Sequence, residues 1–325
     1  MKLDIIVPHY HEPWDVVEYL FNTISMQRMV DFNNIRVLLI NDGDDVVLGE
    51  ENFRKYPFKT EYFVKAHEGV SAARNFGIDH SDADYIMFCD SDDGFMLSLA
   101  LYMIKIEAEK GYNIINPMFM EECMNYRDNK MFLQTHESDA TFLHGKAYNR
   151  EFLKKHDIRF PEGLNLHEDG YFNSLAICIG QDNIVELNTP LYLWRWNDNS
   201  VVRSDYDFTL RTYDKLCECW RRTLKWLKDN GYDKEYQFIV AKTVISTYYN
   251  FMTPPYLSPK NSKYLKAAEK AFKELYLTIE KDFLACGDAM VGRFCEILRG
   301  DARKSGFEYE LTDLRSWLKH IKYQK

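Results

Sequence analysis

The order of residues predicts an α/β fold: a mainly parallel sheet with helices on both faces, followed by a C-terminal helical domain. Three observations carry that reading. Short apolar runs alternate with helix-spaced segments up to about residue 120. The runs at 3–7, 36–40 and 84–89 each lead into a polar or turn-forming cluster. Beyond about residue 205 apolar residues recur three and four apart instead. Alternating strand and helix implies βαβ crossovers and hence a parallel sheet. Spacing by three and four implies amphipathic helices.

The elements follow in order. Residues 3–7 form an apolar run stopped by Pro8, the mark of a buried strand. Val16, Val17, Leu20, Phe21 and Ile24 hold helical spacing. Residues 36–40 are a second strand, closed by Asn41-Asp42-Gly43-Asp44, and 62–65 a third. Residues 71–78 are helical with Ser71 as N-cap. Residues 84–89 are a fourth strand, and 97–110 a helix ended by Gly111. Between 113 and 202 the pattern is mixed, with strands at 131–135 and 191–196 and helices at 151–156 and 171–179. In the tail, Leu210, Tyr213, Cys217, Trp220, Leu224 and Leu227 line one helix, stopped by Asn230-Gly231. A second spans 235–252 and ends before Pro254-Pro255; Ser258-Pro259 opens a third; helical pattern continues to about Leu298 and resumes at Thr312. The domains are thus expected at 1–204 and 205–325.

Composition narrows the class. With 41 basic against 50 acidic residues, the net charge of −9 argues against a nucleic-acid binder. Seven cysteines, odd in number and irregularly spaced, read as reduced thiols in a reducing cytoplasm. No signal peptide is visible and no run approaches the roughly 18 apolar residues of a membrane span, so a soluble cytoplasmic protein is expected, with peripheral membrane contact left open.

Ligands of parallel α/β sheets bind beyond the carboxyl ends of the strands. Pro8-His9-Tyr10, Asn41-Asp42 and Asp90-Ser91-Asp92 all lie there, so three strand ends face one crevice. Two carboxylates at i and i+2 after a buried strand converge on a divalent cation, Mg²⁺ or Mn²⁺, which also takes phosphate oxygens. An acidic loop that is merely solvated is the bland alternative.

Several segments, in order, resemble the family 2 glycosyltransferases of the Rossmann-like GT-A fold. They are Ile5-Ile6-Val7-Pro8-His9-Tyr10, Leu39-Ile40-Asn41-Asp42-Gly43, Gly69-Val70-Ser71-Ala72-Ala73-Arg74-Asn75-Phe76-Gly77, Asp90-Ser91-Asp92-Asp93, His167-Glu168-Asp169 and residues 192–200. The resemblance covers about residues 1–204. It implies that Pro8, Tyr10 and Glu12 line a nucleobase and ribose pocket and that Asp42 hydrogen-bonds the base, most often uracil. Arg74 and Ser91 belong to the donor side. Asp90 contacts the ribose or a metal-bound water, and Asp92 ligates the metal. Asp169 is the general base, with Glu168 supporting the acceptor site. For Glu168 and Asp169, capping of the following helix competes with catalysis; for Asp42, an Asx turn; for Arg74 and Asn75, an exposed helix face. Lys146, in His144-Gly145-Lys146, resembles a recurring family segment, with a solvated lysine as the alternative. Trp194 and Trp196 read as packing residues, with a sugar platform on the face of that strand toward the site as the alternative.

The chain departs from the family in two places. His11 stands where Asn is frequent, and Asn197 where a late-loop His is frequent, which makes Asp198 the candidate third ligand. The run Tyr192-Leu193-Trp194-Arg195-Trp196 lacks the Gln of processive members. The resemblance therefore implies an inverting transferase moving sugar from a nucleoside-diphosphate donor, of UDP-sugar type, to a hydroxyl of a glycan, lipid-linked or protein acceptor. A scaffold that binds donor without catalysis is the alternative. A nucleotidyltransferase would want a Gly-rich basic loop after Val7, and none is there. The tail is expected to pack on itself with its tryptophans buried, or to form a homo-oligomer through the Leu210–Leu227 stripe.

Overall fold

The computed structural model describes residues 1–45, 47–125, 128, 130–198, 200, 208–252, 263–304 and 314–323. Contacts divide the chain into two compact units, Met1–Asn197 and Asp198–Lys325. The boundary expected at residue 204 lies outside the described residues.

The first unit runs β1 (Leu3–His9), α1 (Trp14–Ser25), β2 (Ile35–Asp42), β3 (Lys59–Lys65), α2 (Val70–His80), β4 (Tyr85–Phe88), β5 (Gly94–Phe95), α3 (Ala100–Ala108), β6 (Ile114–Asn125), β7 (Lys130–His136), β8 (Ala147–Asn149), α4 (Arg150–Lys155), α5 (Glu168–Gly180) and β9 (Ile184–Trp194). The strands form one sheet in the order β3-β2-β1-β4-β8-β6-β9-β5, with β7 paired to β6. β1 to β4 pair in parallel, as do β6 and β9. The short β8 runs antiparallel to both β4 and β6 and joins the two parallel parts.

Side-chain alternation sorts the sheet's faces. Leu3, Ile5, Val7, Val37 and Leu39 share a core with Val17, Leu20, Phe21 and Ile24 of α1 and Leu101 and Ile104 of α3. On the other face Ile6 meets α2, and Phe88 packs edge-on against Phe172 of α5 and Phe160. Strands covered on both faces carry near-continuous apolar runs, which is how β1, β2 and β4 read.

Three differences from the sequence reading have physical causes. Gly69, at φ +93°, is the N-cap of α2, and Ser71 lies inside the helix with its hydroxyl buried and unpartnered. β6 escapes the pattern because Pro117 interrupts it; register shifts between Pro117 and Phe119 accommodate a residue that cannot donate to the ladder. The helix expected at 97–110 is α3 at Ala100–Ala108, with Gly111 at φ +84° just beyond it.

The second unit holds α6 (Phe208–Arg211), α7 (Tyr213–Asp229), α8 (Asp233–Met252), α9 (Leu265–Leu284), α10 (Asp288–Lys304) and α11 (Leu314–Tyr323) among the described residues. Leu210, Tyr213, Cys217, Leu224 and Leu227 are buried, and α7 packs on α8 and α9. Of the tail tryptophans only Trp317 is buried. Trp220 and Trp226 are half-buried, Trp226 stacking on Tyr232, as suits a ring too large for full enclosure at a helix margin. Ser258-Pro259 and Thr312 lie outside the described residues. None of the seven cysteines is joined in a disulfide, and no described helix is long and apolar enough to cross a membrane.

Gly77 fixes how closely α2 approaches β1. A Cβ there would stand 2.4 Å from Ile6 Cγ2. Gly77→Ala is expected to lower the stability of the chain by ~1–3 kcal/mol through overpacking. Urea denaturation checks this, and an unchanged midpoint would mean that α2 can move off the sheet freely.

Candidate active site

The turn after β1 builds one wall. His9 is buried, with its Nε2 2.7 Å from Glu12 O, and the Tyr10 amide donates to Glu12 Oε2 at 2.8 Å. Burial raises the Glu12 carboxyl above its ordinary range, against hydrogen bonds from the Tyr10 amide and the Ser91 hydroxyl, so Glu12 ties the β1 turn to the loop after β4. Tyr10 is 40% exposed and stacks on His67 at 4.4 Å. His11 has φ +71°, a left-handed backbone that Asn tolerates better than most residues, which accounts for the family's frequent Asn at this place. Its amide donates to Asp44 Oδ2 at 3.0 Å.

Asp42 ends β2 and is buried. Its Oδ1 accepts from Lys65 Nζ at 2.8 Å and the Glu68 amide at 3.1 Å; its Oδ2 accepts from the Gly69 amide at 2.8 Å and lies 3.0 Å from His67 Nδ1. The carboxylate therefore shapes the turn that leads into α2. This goes beyond a local Asx turn, because the partners come from β3 and the N-terminus of the helix.

The loop after β4 holds three carboxylates in different settings. Asp90 is partly exposed. Asp92 Oδ2 accepts from Asn197 Nδ2 at 2.8 Å, and its backbone oxygen accepts from Arg195 at 3.2 Å. Asp93 is wholly buried; its Oδ2 accepts from the Tyr192 hydroxyl at 2.9 Å and its Oδ1 from the Arg195 amide at 2.9 Å. Burial, then the neighbouring Asp90, raises the Asp92 carboxyl, and the same causes raise Asp93 further. The Arg195 guanidinium also lies over the Tyr19 ring at 3.9 Å.

Arg74 binds the parts together. It is 3% exposed, one face over the Phe160 ring at 5.2 Å. It donates to Asp90 Oδ1 at 2.9 Å, Glu168 Oε1 at 3.0 Å and Asp169 Oδ1 at 2.7 Å. Burial alone would weaken its hold on the proton; the carboxylates of Asp169, Asp90 and Glu168 overcome that and raise its pKa. Glu168 and Asp169 occupy the first turn of α5, where the helix dipole favours acids, and His167 before them is left-handed at φ +65°. A place in the first turn and ion pairing with Arg74 thus coexist at these two residues. Asp169 sits well above the ordinary carboxyl range. Burial is the main cause, Arg74 opposes it, and Glu168 and Asp90 add to it. The fold therefore sets the acidity of Asp169 apart from that of an ordinary solvated carboxyl.

Tyr10, Glu12 and Ser91 gather at one wall, and Asp90, Arg74, Glu168 and Asp169 form a second connected group. Pro8 lies within β1, and Asp198 is the exposed first residue of the second unit. Two residues that the sequence reading left without a role join the group. Among the described residues, Asp90, Asp93 and His144 bring ligand-capable atoms within 4.8 Å of one another. His144 is buried, its Nε2 has no hydrogen-bond partner, and burial pushes its pKa down to about 3, leaving the neutral imidazole that ligates metals. Two carboxylates and an imidazole suit Mn²⁺ better than Mg²⁺, which prefers oxygen and water alone. The donor set of Asp90, Asp93 and His144 thus fits a divalent cation, and it shares Asp90 with the set expected from the sequence. The signal in sequence was His144-Gly145-Lys146. Lys146 too is wholly buried, against the solvated alternative: Nζ donates to Phe142 O at 2.5 Å, and burial lowers its pKa to about 8. Trp194 is half-buried against His144 and Phe142.

A parallel sheet extended through an antiparallel strand, with an acidic loop at its switch point, defines the GT-A class of folds. The family model described as Glycosyl transferase family 2 matches residues 4–165. Glycosyltransferase GlyA of Streptococcus pneumoniae is 24% identical over 269 residues, 75% of this chain and 37% of that relative, so the chain spans well under half of GlyA's length. The crystal structure of S. aureus TarS 1–349 superposes with a TM-score of 0.57 at 15% identity, over 95% of this chain and 93% of that one. The mannosyltransferase PcManGT of Pyrobaculum calidifontis, in complex with GDP-Man and Mn²⁺, does so at 0.50 and 15%, over 99% and 84%. The chain belongs to glycosyltransferase family 2, and its fold is that of the GT-A enzymes.

Arg74→Met would leave three carboxylates crowded without their cation. A loss of ~3–5 kcal/mol is expected, as for other broken buried pairs. A carboxylate whose folded pKa is raised binds protons better folded than unfolded, so the variant should regain stability as pH falls toward the ordinary carboxyl range. Denaturation curves at two pH values check this, and a variant as stable as wild type at pH 7 would show the network contributes nothing.

Proposed function

We propose that this chain transfers a sugar, with inversion, from a nucleoside-diphosphate donor of UDP-sugar type to a hydroxyl of an acceptor glycan, with Asp169 as general base. The observation that carries the reading is the bond of one buried guanidinium to both Asp169 and Asp90, which links the base to the donor loop. Family membership supports it, as does the likeness to TarS, whose structures include complexes with UDP and UDP-GlcNAc. Lipid-linked and protein acceptors use the same chemistry.

In this reading Pro8, Tyr10 and Glu12 line the base and ribose pocket. Tyr10 offers the open ring, and Asp42 and Lys65 shape the turn beside it. Asp90, Asp93 and His144 would hold Mn²⁺, with Asp92 and, as the residue after Asn197, Asp198 as further candidate ligands. A bound cation supplies charge stabilisation to the departing diphosphate. Asp169 takes the proton of the acceptor hydroxyl as its oxygen bonds to the anomeric carbon. The bond from that carbon to the diphosphate oxygen breaks, and its electron pair leaves with the diphosphate. Glu168 shares Arg74 with Asp169 and thereby orients the base. A base raised above the ordinary carboxyl range is a stronger proton acceptor, provided it remains ionised at the working pH.

Release of nucleoside diphosphate from a panel of nucleotide sugars with Mn²⁺ tests the reading, and silence across the panel would favour the non-catalytic scaffold. Asp169→Asn should cut turnover by roughly a hundredfold to ten-thousandfold and leave donor binding intact. Because the base must be ionised and burial raises its pKa, kcat should fall with acidification at a pH above the ordinary Asp value of about 4. Asp92→Asn separates the metal assignments. Persistent metal stimulation in that variant, with loss in Asp93→Asn, would place the cation on Asp90, Asp93 and His144.

A further inference from the structure

Between α9, α10 and α11 the second unit holds a cleft of about 400 Å³, within the range of sites that enclose a small ligand. Tyr276 and Phe283 of α9, Val291 of α10 and Leu318 of α11 wall it. Leu284 and Tyr323 line it too, yet they are 71% and 75% exposed, so they stand at its mouth. Leu277, seven residues before Leu284 and so on the same face of α9, is also exposed. Large apolar side chains left in water beside an apolar opening mark an interaction surface.

The charge on α11 selects the partner. Trp317, Leu318 and Ile321 bury one face of this helix, with Trp317 stacked on Phe272 at 5.5 Å. Arg315, Lys319 and Lys322 stand at i, i+4 and i+7, a single stripe, and all three line the cleft. In a chain of net charge −9, Leu314–Tyr323 contains no acidic residue. Glu280 pairs with Lys322 at 2.8 Å, and Asp288 is the other acid among the described lining residues, so three cations face two carboxylates. Arg315 and Lys319 are exposed. Such side chains lay their stems along apolar walls and keep their charged heads in water.

An apolar cleft rimmed by cations matches an apolar chain that ends in an anionic head. A second copy of this chain is the competing occupant. Around a two-fold axis through the cleft, the α11 stripe would meet its own copy, cation on cation. A bilayer surface has no such conflict: anionic headgroups attract each Lys or Arg, and the acyl boundary takes the apolar side chains.

We propose that this cleft docks the chain on a bilayer surface containing anionic phospholipid. Headgroup phosphates lie against Arg315 and Lys319, and Leu284 and Tyr323 enter the acyl boundary beside the cleft. The site belongs wholly to the second unit and stands independently of the reaction proposed for the first.

Flotation of the full chain with vesicles tests this, using phosphatidylcholine alone and an equal mixture of phosphatidylcholine and phosphatidylglycerol. Wild type should float with the mixture and not with phosphatidylcholine alone. Arg315→Gln with Lys319→Gln should weaken binding by about tenfold to thirtyfold, the effect of two lost surface charges. Leu284→Ser with Tyr323→Ser should weaken it by about tenfold with every charge in place. Lys154→Gln with Lys155→Gln, which removes two exposed lysines of α4, should bind as wild type. All the substituted side chains are exposed, so the variants should fold, and circular dichroism verifies it. Leu284→Asn alone replaces the apolar pair should that pair unfold. Wild type that floats with neither vesicle or equally with both overturns the proposal. Unchanged binding in either cleft variant, or an equal loss in the α4 control, does the same. So does a dimer in light scattering that Leu284→Ser with Tyr323→Ser dissolves, which would seat a second copy on the cleft.

Discussion

The first unit depends on a single buried charge. The Arg74 guanidinium is the meeting point of α2, the loop after β4 and the first turn of α5, and it is out of water. A guanidinium so placed has to be surrounded by acceptors, and its fork geometry fixes where they stand. Three elements distant in sequence are thereby held in one arrangement. The residues around it serve that arrangement: Gly77 lets α2 lie against β1, Phe160 covers the cation's face, and Asn75 bonds the 160–162 backbone and side chain on the far side. The cost of burying charge explains why polar residues in the Ala73–Gly77 segment, which could pass for an exposed helix face, lie inside.

How much was legible follows from what a local pattern can encode. β1, β2, β4, α1 and α7 announce themselves through apolar spacing, and the polar strand ends point to the crevice. β8 is three residues long and β6 contains a proline, so neither leaves a usable period. In the site, Asp90, Glu168 and Asp169 could be read from a motif in order. Their sharing of Arg74 could not, because contacts across 94 and 95 residues of sequence leave no trace in one chain. Asp93 sat inside the quoted acidic run without a role, since one Asp looks like the next until burial separates them. Lys146 was hardest, because lysine is normally at the surface and only the fold shows it enclosed.

The acidic loop illustrates how identical residues become different. Asp90 reaches Arg74, Asp92 reaches Asn197, and Asp93 is enclosed by Tyr192 and the backbone of Arg195. The same carboxylate is thus successively half-open, tethered and sealed. Asn197, in the position where the family often carries His, spends its amide on Asp92, and the buried imidazole of this region comes instead from His144.

The bulged pairing of β6 with β9 has a parity. Ile114 to Pro117 face Ile184 to Leu187, a constant separation of 70, while Phe119 faces Tyr192, a separation of 73. Three additional residues on β9 are an odd number, so every side chain past the bulge is turned to the opposite face from the one an unbroken ladder would assign. That inversion delivers Tyr192 to Asp93. A one-residue deletion between 187 and 191 would turn the strand's end over and take the Tyr192 hydroxyl away from Asp93. For this reason chain length in the Leu187–Leu191 stretch is under tighter constraint than residue identity there, and homologous chains should differ along it by substitution or by paired insertions rather than by single ones.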